Sequence, residues 1–241
     1  MHILAIDTSQ KTVSIAILAD NVVLADIYIN SGRHHSDTLL PAMEKTFRLA
    51  GLQPNDMDLF AVTLGPGSFT GLRIGAATIK GLALATGKPV VGISTLDALA
   101  HGAVHTGKQM ICPMLDAQKN QIYTALYRPN VGTAMERVSE EQVIDVDRWL
   151  SRLDKDTLFL GDGAMKYHQR IQGRFLSSSC IAEDRQNHVS AAVVAVLAQD
   201  QFQRGVQLDL LKFTPRYLRP SEAEARDRQE TSNIDKPWEL R

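Results

Sequence analysis

The spacing of apolar residues switches between two periods along this chain, and the switches mark out its elements. Residues 2–7 form an apolar run that ends in Asp7, the pattern of a central strand. Residues 12–18 and 22–29 flank Asp20-Asn21, a two-residue turn signal, and predict a hairpin. From Ser36 the spacing lengthens. Leu39, Leu40, Met43, Phe47 and Ala50 give one face of a helix that Gly51 closes, with Pro41 near its first turn. Residues 58–64 are the next strand, and Gly65-Pro66-Gly67 forces a turn after it. A helix over 70–86 follows, capped by Ser68 or Thr70 and ended by Gly87-Lys88-Pro89. Residues 90–93 form a buried strand, and a helix runs from 95 to about 104.

A similar order then begins again. Residues 110–115 form a strand ending in Asp116, and 121–127 and 134–138 complete three strands. A helix over 146–153, a strand over 157–160, a helix over 165–172, a short strand near Cys180 and a long helix over 190–204 follow. Two successive βββαβα units predict an internally duplicated α/β fold, with Asp7 and Asp116 in equivalent places. The expected division is a subdomain over 1–105, a second over 106–220 and a polar tail over 221–241. The tail mixes charges, as a solvated helix end or a disordered tail does.

Composition narrows the function classes. With 241 residues, 44% of them hydrophobic and 22% charged, the chain fits a soluble globular protein with a sizeable core. A net charge of −1 gives no global basic field for nucleic acid. Cys112 and Cys180 stand far apart without metal spacing and are expected as buried free thiols in a reducing compartment. The N-terminus shows neither a basic n-region nor a long apolar core, so no signal peptide is expected. The apolar helix over 189–198 is too short to span a bilayer. A cytoplasmic protein without a membrane segment is the expectation.

The glycines of the second helix demand a reason. Gly71, Gly75 and Gly81 each cost about 1 kcal/mol against alanine in a helix interior, and close approach of another backbone is the obvious compensation. A glycine-rich loop before a helix also suits phosphate. However, Gly65-x-Gly67-x-x-x-Gly71 is one residue too long for the dinucleotide fingerprint, and the acidic residue expected about 20 positions on is missing. Asp7-Thr8-Ser9 ends a strand where actin-like ATPases contact phosphate and metal. Those sites place a glycine after the aspartate, and Thr8 fills that place here. A capping and turn role is the alternative. His101 and His105 have the i, i+4 spacing of a zinc site, but no Glu follows His101 and Gly102 weakens the helix; two surface histidines are the competing account. His34-His35 suits a loop or cap. Gly161-Asp162-Gly163 is either a second phosphate loop or a plain strand-to-helix turn. Arg216 and Arg219 could touch RNA, but two arginines do not make a basic patch.

Several stretches together closely resemble one family. Ile3-Leu-Ala-Ile-Asp-Thr-Ser9, His35-Ser-Asp-Thr-Leu-Leu-Pro41, Gly65-Pro-Gly-Ser-Phe-Thr-Gly-Leu-Arg73, Gly87-Lys-Pro-Val-Val-Gly92, Gly161-Asp-Gly-Ala164 and Tyr217-Leu-Arg219 look like the bacterial TsaB (YeaZ) family. The resemblance runs to about Pro220 and implies an actin-like (ASKHA, ribonuclease H-like) fold. It also implies a role in making N6-threonylcarbamoyladenosine in tRNA, as a partner of the catalytic TsaD subunit and of the ATPase TsaE. On that resemblance the chain is not itself the transferase, and meets tRNA only through the complex. In TsaD relatives two metal-binding histidines follow the Gly-Lys-Pro strand. Thr95 and Leu99 stand at those positions here, and leucine cannot ligate a metal. The expectation is therefore no catalytic residue, no metal and no cofactor. The competing reading is an actin-like ATPase or metallopeptidase acting alone through Asp7, residues 161–163 and a histidine pair.

The partner surface is expected on the two helices over 36–50 and 70–86. Leu39, Met43 and Phe47 share one stripe at i, i+4, i+8, with Leu40 to one side for the core. Gly71, Ile74, Gly75 and Thr78 would let a facing helix come close. Such a pair can form a four-helix seam with TsaD and, without it, a homodimer through the same patch. The plainer alternative is that both helices only cover their own sheet.

Overall fold

The computed structural model describes residues 1–103, 110–130, 135–153, 156–175 and 180–219; His105 and the tail over 221–241 lie outside them. The first sheet contains β1 (His2–Asp7), β2 (Val13–Ala19), β3 (Val22–Ile29), β4 (Leu59–Gly65) and β5 (Val90–Ser94), in the order β3-β2-β1-β4-β5. β1 pairs antiparallel with β2 and parallel with β4. Asp20 and Asn21 adopt φ of 47° and 67°, the left-handed pair that a tight hairpin needs. Period-two alternation sorts β1 and β2 onto two buried faces. Leu4, Ile6, Ile15 and Ile17 pack with α1 (His35–Ala50) and α2 (Phe69–Thr86). Ile3, Ala5, Ala16 and Leu18 pack on the other side, with α3 (Thr95–Gly102).

The second half contains β6 (Met110–Asp116), β7 (Gln121–Thr124), β8 (Tyr127–Pro129), β9 (Met135–Arg137), β10 (Gln142–Asp145), α4 (Val146–Leu150), β11 (Thr157–Leu160), α5 (Asp162–Lys166), α6 (His168–Phe175) and α7 (Ala191–Gln203). β6 pairs antiparallel with β7 and parallel with β11, repeating what β1 does with β2 and β4. The duplicated α/β order is therefore present in the pairing itself. Details differ from the pattern. The expected helix over 165–172 is two helices divided at Tyr167. The strand near Cys180 is a single bridge between Ile181 and Phe159. β10 is an additional strand. α7 covers the first sheet, where Val194, Ala195 and Ala198 join the cluster of Ile3, Ala5 and Leu18.

Beyond α7 the chain runs back as a strap over 206–219. Leu208 N donates to the Val90 carbonyl (2.8 Å) and Arg216 N to the Leu64 carbonyl (2.7 Å), while Leu208, Leu210 and Phe213 pack on the α1–α2 cluster. The strap then meets the buried carboxylate of Glu141. Arg216 lies 3.0 Å and Arg137 2.9 Å from it, and Ser94 Oγ donates to it at 2.5 Å. Ser94 also caps α3 by accepting from Leu96 N and Asp97 N. A buried carboxylate is tolerated when its partners are charged and hydrogen-bonded, as here.

Seating of α2 explains its glycines. Ser68 caps the helix by accepting from Gly71 N. A Cβ at Gly71 would collide with the Thr8 carbonyl, and one at Gly75 with Thr8 Oγ1. The close-approaching backbone is thus the chain's own β1. Gly81, by contrast, faces open space. Gly71→Ala is therefore expected to lower unfolding stability by about 2 kcal/mol or more through overpacking. Gly81→Ala is expected to raise it by about 0.5–1 kcal/mol through helix propensity. Denaturant titration of both variants checks the pair; equal effects would remove the seating argument.

Candidate functional site

Asp7 closes β1, and the turn after it leads to β2. Its Oδ1 accepts from Ser9 Oγ (2.6 Å), Thr63 Oγ1 (2.6 Å) and Ser9 N (3.2 Å), while its buried Oδ2 has no hydrogen-bond partner among the described residues. Burial pushes the Asp7 carboxyl above its ordinary range, against the hydrogen bonds from Ser9 and Thr63. Thr8, Ser9, Gln10 and Thr12 are all buried. The side chains of Thr8, Ser9 and Gln10 are held by the chain itself, while the Thr12 hydroxyl has no hydrogen-bond partner among the described residues. Thr8 Oγ1 donates to the Gly71 carbonyl (2.7 Å), and the Ser9 carbonyl accepts from Ser68 N (2.7 Å). Gln10 Nε2 donates to the Asn187 carbonyl (3.0 Å), its Oε1 accepts from Val189 N (2.9 Å), and a ring nitrogen of His35 bonds its carbonyl (2.9 Å). A phosphate oxygen needs free N–H groups at such a turn. Of the N–H groups here, that of Ser9 is taken by Asp7 Oδ1.

The second half repeats the device. A Cβ at Gly161 would collide with the Met114 carbonyl, and Gly161 N donates to Asn187 Oδ1 (2.9 Å). Residues 161–163 are therefore a packed strand-to-helix turn. Between the halves lies a cleft of about 520 Å³, where Lys11 and Thr12 face Asp116, Asp162 and Lys166. Lys166 Nζ pairs with Asp116 Oδ2 (2.7 Å), and burial raises the Asp162 carboxyl although Asp116 N donates to it (3.1 Å).

Thr95 and Leu99 are buried in the core, and His101 turns a ring nitrogen to the Asp97 carbonyl (2.8 Å). Among the described residues no group of three or more His, Cys, Asp or Glu side chains could hold a metal ion. Cys112 and Cys180 are both buried, and burial pushes the Cys112 thiol up to about 11. Arg216 pairs with Glu141, and Arg219 donates to the Ala117 carbonyl (3.0 Å), so both arginines hold the fold together. No described helix is long and apolar enough to cross a membrane.

The helix pair presents a different face from the one the stripe suggested. Leu39 is 1% exposed and Leu40 56%, so Leu39 serves the core and Leu40 stands on the surface, the reverse of the expected assignment. Gly71 and Gly75 are pressed on Thr8 and offer a partner nothing. Met43 and Phe47 are 8% and 6% exposed, but with Leu40 they line an open groove of about 630 Å³. Ile74 and Thr78 are half-buried on α2, and Ala77, Gly81 and Leu84 lie exposed beside them. Gln10, Asn187 and Glu141 were not singled out from the sequence, because their partners lie far away along the chain.

Comparison with known proteins adds to this geometry. A family model described as TsaD: tRNA N6-adenosine threonylcarbamoyltransferase matches residues 23–226. The tRNA threonylcarbamoyladenosine biosynthesis protein TsaB of Bacillus subtilis is 33% identical over 229 residues, 94% of this chain and 97% of that protein. The crystal structure of YeaZ from Pseudomonas aeruginosa superposes with a TM-score of 0.76 at 27% identity, over 90% of this chain and 99% of that one. An activator of 2-hydroxyisocaproyl-CoA dehydratase from Clostridium difficile, with bound ADPNP, shares the fold alone, with a TM-score of 0.50 at 13% identity over 86% of this chain and 99% of that one.

The Asp7 carboxyl makes a testable pH dependence. A carboxyl raised above its ordinary 3.8 binds more protons folded than unfolded, so its contribution is complete at low pH and is lost as pH climbs through the native value. Asn at this position can accept the same bonds at Oδ1 without titrating. Denaturant unfolding from about pH 4 to about pH 7 is expected to show Asp7→Asn gaining stability relative to the unsubstituted chain as pH rises. A constant difference across that range would contradict the raised value.

Proposed function

The chain belongs to the TsaB family of tRNA threonylcarbamoyladenosine biosynthesis proteins, and from that premise we propose that it is the non-catalytic subunit that binds and activates the TsaD transferase. It serves the formation of N6-threonylcarbamoyladenosine in tRNA, in the cytoplasm, with TsaE joining the assembled pair. The observation that carries the reading is the outer face of the helix pair. Leu40 and Leu84 are 56% and 59% exposed there, Gly81 opens on empty space, and the groove floored by Met43 and Phe47 lies alongside. Small residues on α2 let a facing helix come close, and exposed leucines reward burial. A TsaD-type family model matches most of this chain, so a TsaD partner would present a related helix pair, and the two can meet as a four-helix seam. Alone, the same face suits a second copy, related by a two-fold axis.

The bonds that tie the Thr8 and Gln10 side chains back onto the chain support a subunit without phosphate chemistry of its own. A net charge of −1 favours contact with tRNA through the complex rather than directly.

Leu40→Glu and Ala77→Glu are expected to leave the chain folded and to weaken association with TsaD and with itself, because a charge would be desolvated without a partner. Met43→Glu, on the groove floor, is expected to cost on the order of 3 kcal/mol or more of stability as well. Circular dichroism melting with sedimentation velocity separates these outcomes. Folded variants at positions 40 and 77 that dimerise and bind TsaD normally would place the interface elsewhere. The chain alone is expected to show negligible ATP turnover; steady hydrolysis that disappears in Asp7→Ala would contradict the non-catalytic role.

A further inference from the structure

One flank of α2 carries two cations that the fold holds in place but does not neutralise. The Arg73 guanidinium lies 3.9 Å over the Phe69 ring, and its Nε donates to the Tyr217 hydroxyl (3.1 Å). Phe69 and Tyr217 stack with centroids 4.7 Å apart. Lys80 Nζ sits 5.0 Å from the Phe213 ring and donates to the Leu211 carbonyl (3.2 Å). Among the described residues no carboxylate lies within ion-pair distance of either. Arg137, Lys166, Arg170, Arg204, Lys212 and Arg216 each have one. Between the two cations a groove of about 260 Å³ runs along α2, with Ala76 and Ala77 on one side and Pro215 of the strap on the other.

We propose that the protein partner seated on α2 carries carboxylates that pair with Arg73 and Lys80, along the groove between α2 and the strap. This inference rests on the reading that α1 and α2 form the partner face. Positions 73 and 80 are seven apart, two turns on one flank, or about 10 Å along the axis. Acidic side chains two turns apart on a facing helix match that span. The apolar floor suits the methylene groups of such side chains, and Ala77, which lines the groove, is exposed on the same helix as Gly81 and Leu84. Stacking on aromatic rings fixes the guanidinium before the partner arrives, so little side-chain freedom is lost on binding. The strap thereby contributes to partner choice, because it supplies the rings that aim both cations.

The experiment measures TsaD binding by the full chain, by the double variant Arg73→Ala with Lys80→Ala, and by the double variant Arg73→Glu with Lys80→Glu. Each is measured at about 0.05 M and about 0.5 M salt. The alanine pair is expected to bind roughly tenfold more weakly at low salt and to lose most of the salt dependence, and the glutamate pair to bind more weakly still. Melting temperatures are expected to change little, since Arg73 is exposed, Lys80 only half-buried, and neither holds an ion pair among the described residues. Unaltered affinity and salt slope in both pairs would overturn the inference. So would RNA binding by the chain alone that depends on these two side chains, since the cations would then serve phosphate. Ala77→Glu keeps the two levels apart. If it abolishes TsaD binding while the charge variants do not, the partner face stands and the carboxylate pairing falls; if none of the three matters, the partner face itself falls.

Discussion

The Thr8 hydroxyl donates to the carbonyl of Gly71, and one residue on the Ser9 carbonyl accepts from Ser68 N, both at 2.7 Å. These two bonds lay the end of β1 directly on the first turns of α2. The contact is close because Gly71 and Gly75 have no Cβ to hold the backbone away. Three consequences follow from the one seating. The side chains of Thr8, Ser9 and Gln10 at the turn after Asp7 are held by the chain's own groups. Asp7 is buried with an upward-shifted carboxyl and serves as the hub for Ser9 and Thr63. Finally, α2 is fixed with its other small residues, Ala77 and Gly81, turned outward.

A second constraint ties the two halves to each other. On one side the strap runs from Val90 to Glu141 and on to Ala117, joining the first sheet to the second. On the other, Gln10 bonds Asn187 and Val189, and Ser14 Oγ accepts from Ala191 N (2.9 Å). Each tie buries polar groups that would be costly to separate. Cross-tied halves suit a subunit whose work is to present a fixed surface. The strap also borders α2, so the contact that joins the halves lines the groove along that helix.

Much of this was legible in the sequence, for identifiable reasons. Strand alternation, the Asp20-Asn21 turn and the repeated strand order are local patterns, and the structure follows them. The glycines announced a close approach, but nothing local says whose backbone approaches; the answer, Thr8, lies 63 residues away from Gly71. Leu39 and Leu40 exchanged roles because neighbours on a helix differ by about 100° and only the position of the sheet decides which one is covered. An i, i+4, i+8 stripe is the same whether it faces a core or a partner. Gln142–Asp145 is too short and too polar to announce a strand. The ties at Glu141 and Gln10 join segments 75 or more residues apart, and they carry no periodic signal at all.

Hydrogen–deuterium exchange on the intact chain, alone, with TsaD and with a non-hydrolysable ATP analogue, tests the central claim most directly. The account predicts that TsaD slows exchange over α1 and α2, and that the nucleotide leaves the turn between β1 and β2 unchanged. Protection of that turn by nucleotide alone, with none gained on the two helices from TsaD, would contradict it.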